Sequence, residues 1–103
     1  MINTIRKLLG IAPPPDFREL ISRGAVIIDV RTRGEYQGGH IRGSLNIPLN
    51  NLEAHLSKIK KDKPVITCCA SGMRSASARS ILQSKGYEEV YNGGGWLRLQ
   101  SKI

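Results

Sequence analysis

Two adjacent cysteines, Cys68 and Cys69, open a run that continues Ala70-Ser71-Gly72-Met73-Arg74. Cysteine does chemistry as a thiolate, so its surroundings must favour negative charge on sulfur. Before Cys69, Pro64-Val65-Ile66-Thr67-Cys68 is apolar and β-branched and predicts a short buried strand. After Arg74, small residues and then apolar ones at helical spacing from Ser75 to Leu82 predict a helix, with Gly86 as its stop. The pattern puts a cysteine in a tight turn between a strand's end and a helix's start. There, unpaired helix N–H groups and the helix dipole stabilise an anion and lower a thiol's pKa.

The flanking elements must position that turn. Asp16-Phe17-Arg18-Glu19 reads as a capping box, with Leu20 and Ile21 facing inward and Gly24 ending the helix. Ala25 to Val30 is the most strand-like run, apolar on both faces as in a parallel sheet covered by helices. It ends in Asp29-Val30-Arg31, placing charge at the carboxyl end of a strand, where open α/β sheets keep their ligands. A helical turn is expected at Thr32–Gln37, a turn at His40–Gly43 and a short strand at Ser44–Ile47. A helix capped by Asn50 or Asn51 is expected to run through Leu56 and Ile59, with Lys58, Lys60, Lys61, Asp62 and Lys63 as its solvated end. Tyr87–Tyr91 predicts a last strand, and Asn92-Gly93-Gly94-Gly95 a permissive turn that lets Trp96 pack. Strands alternating with helices predict an α/β fold whose central sheet is mostly parallel, with about five short strands flanked by helices. Residues 16–103 are expected to form one domain. Residues 1–15 are expected to form an arm or short helix, with Ile2, Ile5, Leu8 and Leu9 on one face and Pro13-Pro14-Pro15 as a stiff spacer.

Composition narrows the partners. The 103 residues carry 16 basic and 8 acidic side chains, a formal charge of +8 that favours anionic partners. The few aromatics, Phe17, Tyr36, Tyr87, Tyr91 and Trp96, do not interleave with the basic residues, so no nucleic-acid partner is expected. The apolar run Leu8–Ala12 is too short to span a bilayer, and no stable membrane insertion is expected. Adjacent cysteines cannot build a disulfide framework, and free thiols point to the cytoplasm. The histidines, His40 and His55, lie apart from any cysteine pair, and the glycine triplet lacks dinucleotide or P-loop spacing. No metal and no cofactor are expected.

Val26-Ile27-Ile28-Asp29-Val30-Arg31, Glu35-Tyr36, Gly39-His40-Ile41-Arg42-Gly43, Asn46-Ile47-Pro48-Leu49, Cys69 to Ser75 and Gly94-Gly95-Trp96 occur in one series. Together they resemble the rhodanese-like family, in its order and spacing, over nearly the whole chain from Asp16 to Leu99. The resemblance implies a three-layer α/β domain and sulfur transfer through a cysteine persulfide. The catalytic cysteine maps onto Cys69. Ala70, Ser71, Gly72, Met73 and Arg74 map onto the loop whose backbone N–H groups hold substrate and persulfide. Asp29 and Arg31 match the strand end of the family's first motif and are expected to support the site. His40 falls in a glycine-histidine-isoleucine turn, where a turn-stabilising role is expected.

Counted from Cys68, the run is Cys-x5-Arg, the spacing of cysteine-dependent phosphatases; counted from Cys69, it is Cys-x4-Arg. Phosphatase loops usually carry glycine three residues after the nucleophile, and that residue is Ser71 from Cys68 but Gly72 from Cys69. Sulfur transfer needs a smaller cradle and no acid for a large leaving group, which favours Cys69. A phosphatase or arsenate reductase using Cys68, or a non-catalytic sulfur-carrier module, are the alternatives. Cys68 is expected to be a buried structural residue whose side chain points away from that of Cys69. The implied partners are a small anionic sulfur donor and a thiol, cyanide or protein acceptor. Thiosulfate-preferring members often carry extra basic residues inside the loop. Ala70, Ser71 and Met73 here leave thiosulfate, a mercaptopyruvate-like molecule, a persulfide or a protein open as donor. Arg74 is expected either to meet the donor's oxyanion or to pair with Asp29 and brace the loop.

Overall fold

The computed structural model describes residues 14–103; the expected arm over Met1–Ile11 lies outside them. Helix α1 (Phe17–Ser22) starts at Asp16, whose carboxylate accepts the Glu19 N–H at 3.2 Å. It leads into β1 (Val26–Asp29), followed by α2 (Arg33–Gln37) and the short β2 (Leu45–Asn46). Two 3₁₀ segments, Leu49–Asn51 and Glu53–Lys58, precede β3 (Val65–Cys69), α3 (Met73–Ser84), β4 (Val90–Gly95) and α4 (Trp96–Gln100).

The sheet has four strands among the described residues, one fewer than expected, in the order β2-β1-β3-β4. All three pairings are parallel, and β3 lies between β1 and β4. That position explains why β3 is buried along its whole length, as an inner strand covered on both faces must be. One face packs Ile28, Val30, Leu52, Val65 and Val90 against Ala78 and Leu82 of α3. The other packs Ile27 and Ile66 against Phe17 and Leu20 of α1 and Leu99 of α4.

Four local expectations are corrected. Ile21 does not face inward with Leu20 but is exposed, since a helix this short buries only Phe17 and Leu20 on its inner face. Asn50 and Asn51 cap no α-helix: the chain there forms 3₁₀ turns, entered at Pro48 without a side-chain cap and broken at His55 (φ −122°). Proline fixes its own backbone for that entry but cannot bond the orphan N–H groups that an asparagine cap would satisfy. The last strand begins at Val90, not Tyr87. Tyr87 instead packs in the α3-side core and donates its hydroxyl to the carbonyl of Leu56 at 3.0 Å. Finally, the glycine triplet is not a turn but the end of β4. Thr67 pairs with Asn92 and Cys69 with Gly95, so β4 advances one residue more than β3 and bulges beside the cysteine.

Candidate active site

Cys69 is the last residue of β3, not the first of the turn, and only 1 % of it is exposed. The chain then curls through Ala70, Ser71 and Gly72 into α3 at Met73. Gly72 makes the curl possible, with φ at +111°, which a side chain would resist. Its N–H points back at the Cys69 sulfur, 2.9 Å away. Burial pushes the Cys69 thiol up, but the N–H and hydroxyl of Ser75 and the N–H groups of Gly72 and Ser71 outweigh it. The net pKa lies below that of an ordinary thiol.

Cys68, one residue earlier, faces the opposite side of the sheet. It is fully buried among Phe17, Leu20, Ile27, Ile66 and Leu99. Burial, reinforced by the nearby charge of Asp29 and only partly opposed by Arg31, pushes its thiol up to about 12. One strand thus carries two thiols with opposite character. A sulfur kept protonated under apolar side chains cannot serve as a nucleophile near neutral pH.

Arg74 does not make the expected pair with Asp29. Its guanidinium lies in a two-pronged ion pair with Glu35, at 2.7 and 3.0 Å. Asp29 is unavailable to it because Arg31 holds both carboxylate oxygens, at 2.8 to 3.1 Å. Arg31 also donates to the Gly39 carbonyl at 2.7 Å and lies 4.7 Å from the Trp96 ring centroid. The Asp29–Arg31 pair therefore ties the end of β1 to the Gly39 turn and the start of α4. Glu35 is presented to Arg74 by a complete capping box: Thr32 accepts the Glu35 N–H at 3.2 Å, and Glu35 accepts the Thr32 N–H at 3.0 Å. Those bonds, the one from Arg74 foremost, hold the Glu35 carboxyl down at about 2. His40 stacks on Tyr36 with centroids 3.7 Å apart, and its Nδ1 lies 2.8 Å from the Tyr36 carbonyl, which braces the turn.

β4 closes the other side of the loop. A Cβ on Gly95 would come within 2.9 Å of the Ala70 carbonyl oxygen, so glycine lets this strand lie against the loop. Beyond it, Ala70, Ser71, Gly94, Gly95, Leu97 and Arg98 line a cleft of about 370 Å³. Met73, the first residue of α3, stands 82 % exposed.

Three residues of this arrangement are given no role in the site by the sequence: Glu35, Ser75 and Asn92. Thr32-Arg33-Gly34-Glu35 has capping-box spacing, a signal that could have drawn Glu35 out. Ser75, six positions after Cys69, is recognisable only once the helix is known to begin at Met73. Nothing local marks Asn92, which reaches the loop through the pairing of β4 with β3.

The family model of the Rhodanese-like domain matches residues 13–102. YqhL, an uncharacterized protein of Bacillus subtilis (strain 168), is 43% identical over 79% of this chain, which spans 65% of YqhL. The thiosulfate sulfurtransferase GlpE of Pseudomonas fluorescens (strain SBW25) is 34% identical over 84% of this chain and 80% of its own length. Among solved structures, the human single-domain sulfurtransferase TSTD1 superposes with a TM-score of 0.70 at 30% identity, covering 86% of this chain and 93% of that one.

Proposed function

The chain belongs to the rhodanese-like domain family, and from that premise we propose that it is a sulfurtransferase in which Cys69 carries the travelling sulfur. The observation that carries this reading is the set of donors converging on the Cys69 sulfur while Cys68 lies buried and protonated. The Cys69 thiolate attacks the outer sulfur of a donor such as thiosulfate. The donor's S–S bond breaks, sulfite leaves with the bonding pair, and Cys69-S-S⁻ remains. An acceptor nucleophile, a thiolate or cyanide, then takes the terminal sulfur and returns the thiolate. Backbone N–H groups from Ala70 to Arg74 hold the persulfide's terminal charge as a preorganised nest.

A buried sulfur suits this chemistry, because a slim terminal sulfur atom can approach where a bulky phosphate ester cannot. Arg98, which makes no ion pair among the described residues, lines the same cleft as Ala70 and Ser71. It offers an anionic donor the positive charge that the loop interior lacks, while Arg74 is held by Glu35. The same site would serve a persulfide or another anionic sulfane donor.

The deciding experiment is intact-mass measurement before and after incubation with thiosulfate, followed by cyanide. One sulfur atom is expected to add to the wild-type protein and to Cys68→Ala, to be removed as thiocyanate, and never to add to Cys69→Ala. Loading that survives in Cys69→Ala, or absence of loading with any sulfane donor, would overturn the proposal.

A further inference from the structure

Among the described residues the sulfur of Cys69 has one side-chain partner, Ser75, whose hydroxyl oxygen lies 3.7 Å from it and is fully buried. That hydroxyl has a single proton and more than one claimant. The Asn92 Oδ1 lies 2.5 Å from it and the Gly72 carbonyl 3.0 Å. The orientation of the Asn92 amide follows from its neighbours. The Gly94 N–H, which can only donate, faces Oδ1 at 2.9 Å, while Nδ2 faces the Gly72 carbonyl at 3.4 Å. Asn92 therefore presents an acceptor, not a donor, to Ser75.

We propose that Asn92 is a positioning residue for Cys69, acting through Ser75: it holds the Ser75 proton while the sulfur is uncharged and yields it when the sulfur is a thiolate. With a thiol, the S–H donates to the Ser75 oxygen and the Ser75 O–H to Asn92. When the thiol releases its proton to solvent, the Ser75 hydroxyl turns to the charged sulfur, the stronger acceptor. Asn92 then keeps its bond from Gly94, so no buried group is left unpaired in either state. In the persulfide the inner sulfur is again uncharged and a poor acceptor, so the proton returns to Asn92 and the negative charge belongs to the outer sulfur. The hydroxyl thus responds to the charge on the Cys69 sulfur itself through the cycle, without transferring its own proton. This functional meaning rests on the sulfur-transfer reading; the hydrogen-bond exchange does not.

Few charges compete for control of this sulfur. Among the described residues, the charged or titratable groups coupled to it are Arg74 of α3, already paired with Glu35 of α2, and Cys68, which points to the opposite face of β3; β4 adds no charged group beside it. The test is the pH dependence of iodoacetamide alkylation of Cys69, read in Asn92→Asp, Asn92→Leu, Ser75→Ala and the double variant Ser75→Ala/Asn92→Asp. Asn92→Asp keeps the shape and the Gly94 bond but grips the Ser75 proton harder. It is expected to raise the pKa of Cys69 by about one unit, a tenfold loss of thiolate below it. Most of that rise should vanish when Ser75 is alanine. Asn92→Leu, at an exposed position that tolerates it, removes the acceptor and should lower the pKa. Equal shifts with and without Ser75 would mean a bare charge effect and overturn the inference. So would an unchanged pKa in Asn92→Asp, or an unchanged or raised one in Asn92→Leu. Alkylation needs no sulfur donor, so these outcomes are independent of the thiosulfate loading that tests the activity itself.

Discussion

At Cys69, burial and hydrogen bonding pull in opposite directions, and the second wins because three backbone N–H groups and a hydroxyl converge on one atom. At Cys68 only the charge of Arg31 opposes burial, and too weakly, so the thiol is pushed up to about 12. The two cysteines should therefore separate cleanly by alkylation. The native protein is expected to take one label, at Cys69, with a midpoint below the ordinary thiol range, and to take a second only in denaturant. Mass spectrometry of the labelled peptides checks this. The shifts also set the sign of the stability profile. Cys68, with its pKa raised, contributes stability that is complete below the ordinary thiol pKa of 9.0 and is lost as pH rises toward about 12. Cys69, with its pKa lowered, favours the folded state as pH rises through its own folded pKa. At Glu35, the low pKa means that its bond to Arg74 survives acidification until about pH 2. Glu35→Gln should free Arg74 toward the loop's mouth and lower the KM for thiosulfate with little change in melting temperature, as steady-state kinetics and thermal unfolding would report.

At the scale of elements, the site is a loop pinned between α2 and a bulged β4. The bulge lets the backbone of Gly95 lie against Ala70, and a methyl group there would meet the Ala70 carbonyl oxygen at 2.9 Å. Gly95→Ala should therefore push the loop off its nest geometry. Overpacking of this kind costs about 1–3 kcal/mol. The expected signature is a drop in turnover larger than the stability loss alone explains, measured by kinetics well below the melting temperature beside urea unfolding. Both sides of the pin show what the sequence can convey. The capping box at Thr32 and Glu35 is a local pattern, open to reading from residue types alone. The bulge is a mismatch between two strands, so a glycine triplet that reads as a turn becomes strand once β3 lies beside it.

For the whole molecule, the Asp29–Arg31 pair joins the first strand to the Gly39 turn and, through Trp96, to the last helix. Asp29 is fully buried and Arg31 is 4 % exposed, so each makes the other's burial tolerable. Asp29→Ala would strand the guanidinium and is expected to cost about 3–5 kcal/mol. The loss should appear in urea unfolding, while the folded fraction at low temperature still loads sulfur on Cys69.

The fold class, the order of strands and helices, and the thiol loop were legible because they rest on local rules: runs of β-branched residues, helical spacing, and a glycine where the backbone must curl. The same rules separate Cys68 from Cys69, since consecutive strand residues face opposite sides of a sheet. What residue types could not convey was partnership. Arg74 could meet Asp29 or an oxyanion as far as the sequence goes; that Arg31 has already taken Asp29 and left Glu35 for Arg74 depends on where separate elements come to rest. Asn92 reaches Ser75, and through it the sulfur, across a parallel pairing between segments far apart in the chain. Nearest-neighbour chemistry writes the proposed nucleophile into the sequence, while the groups proposed to tune it are brought there only by the packing of β4 and α2 around it.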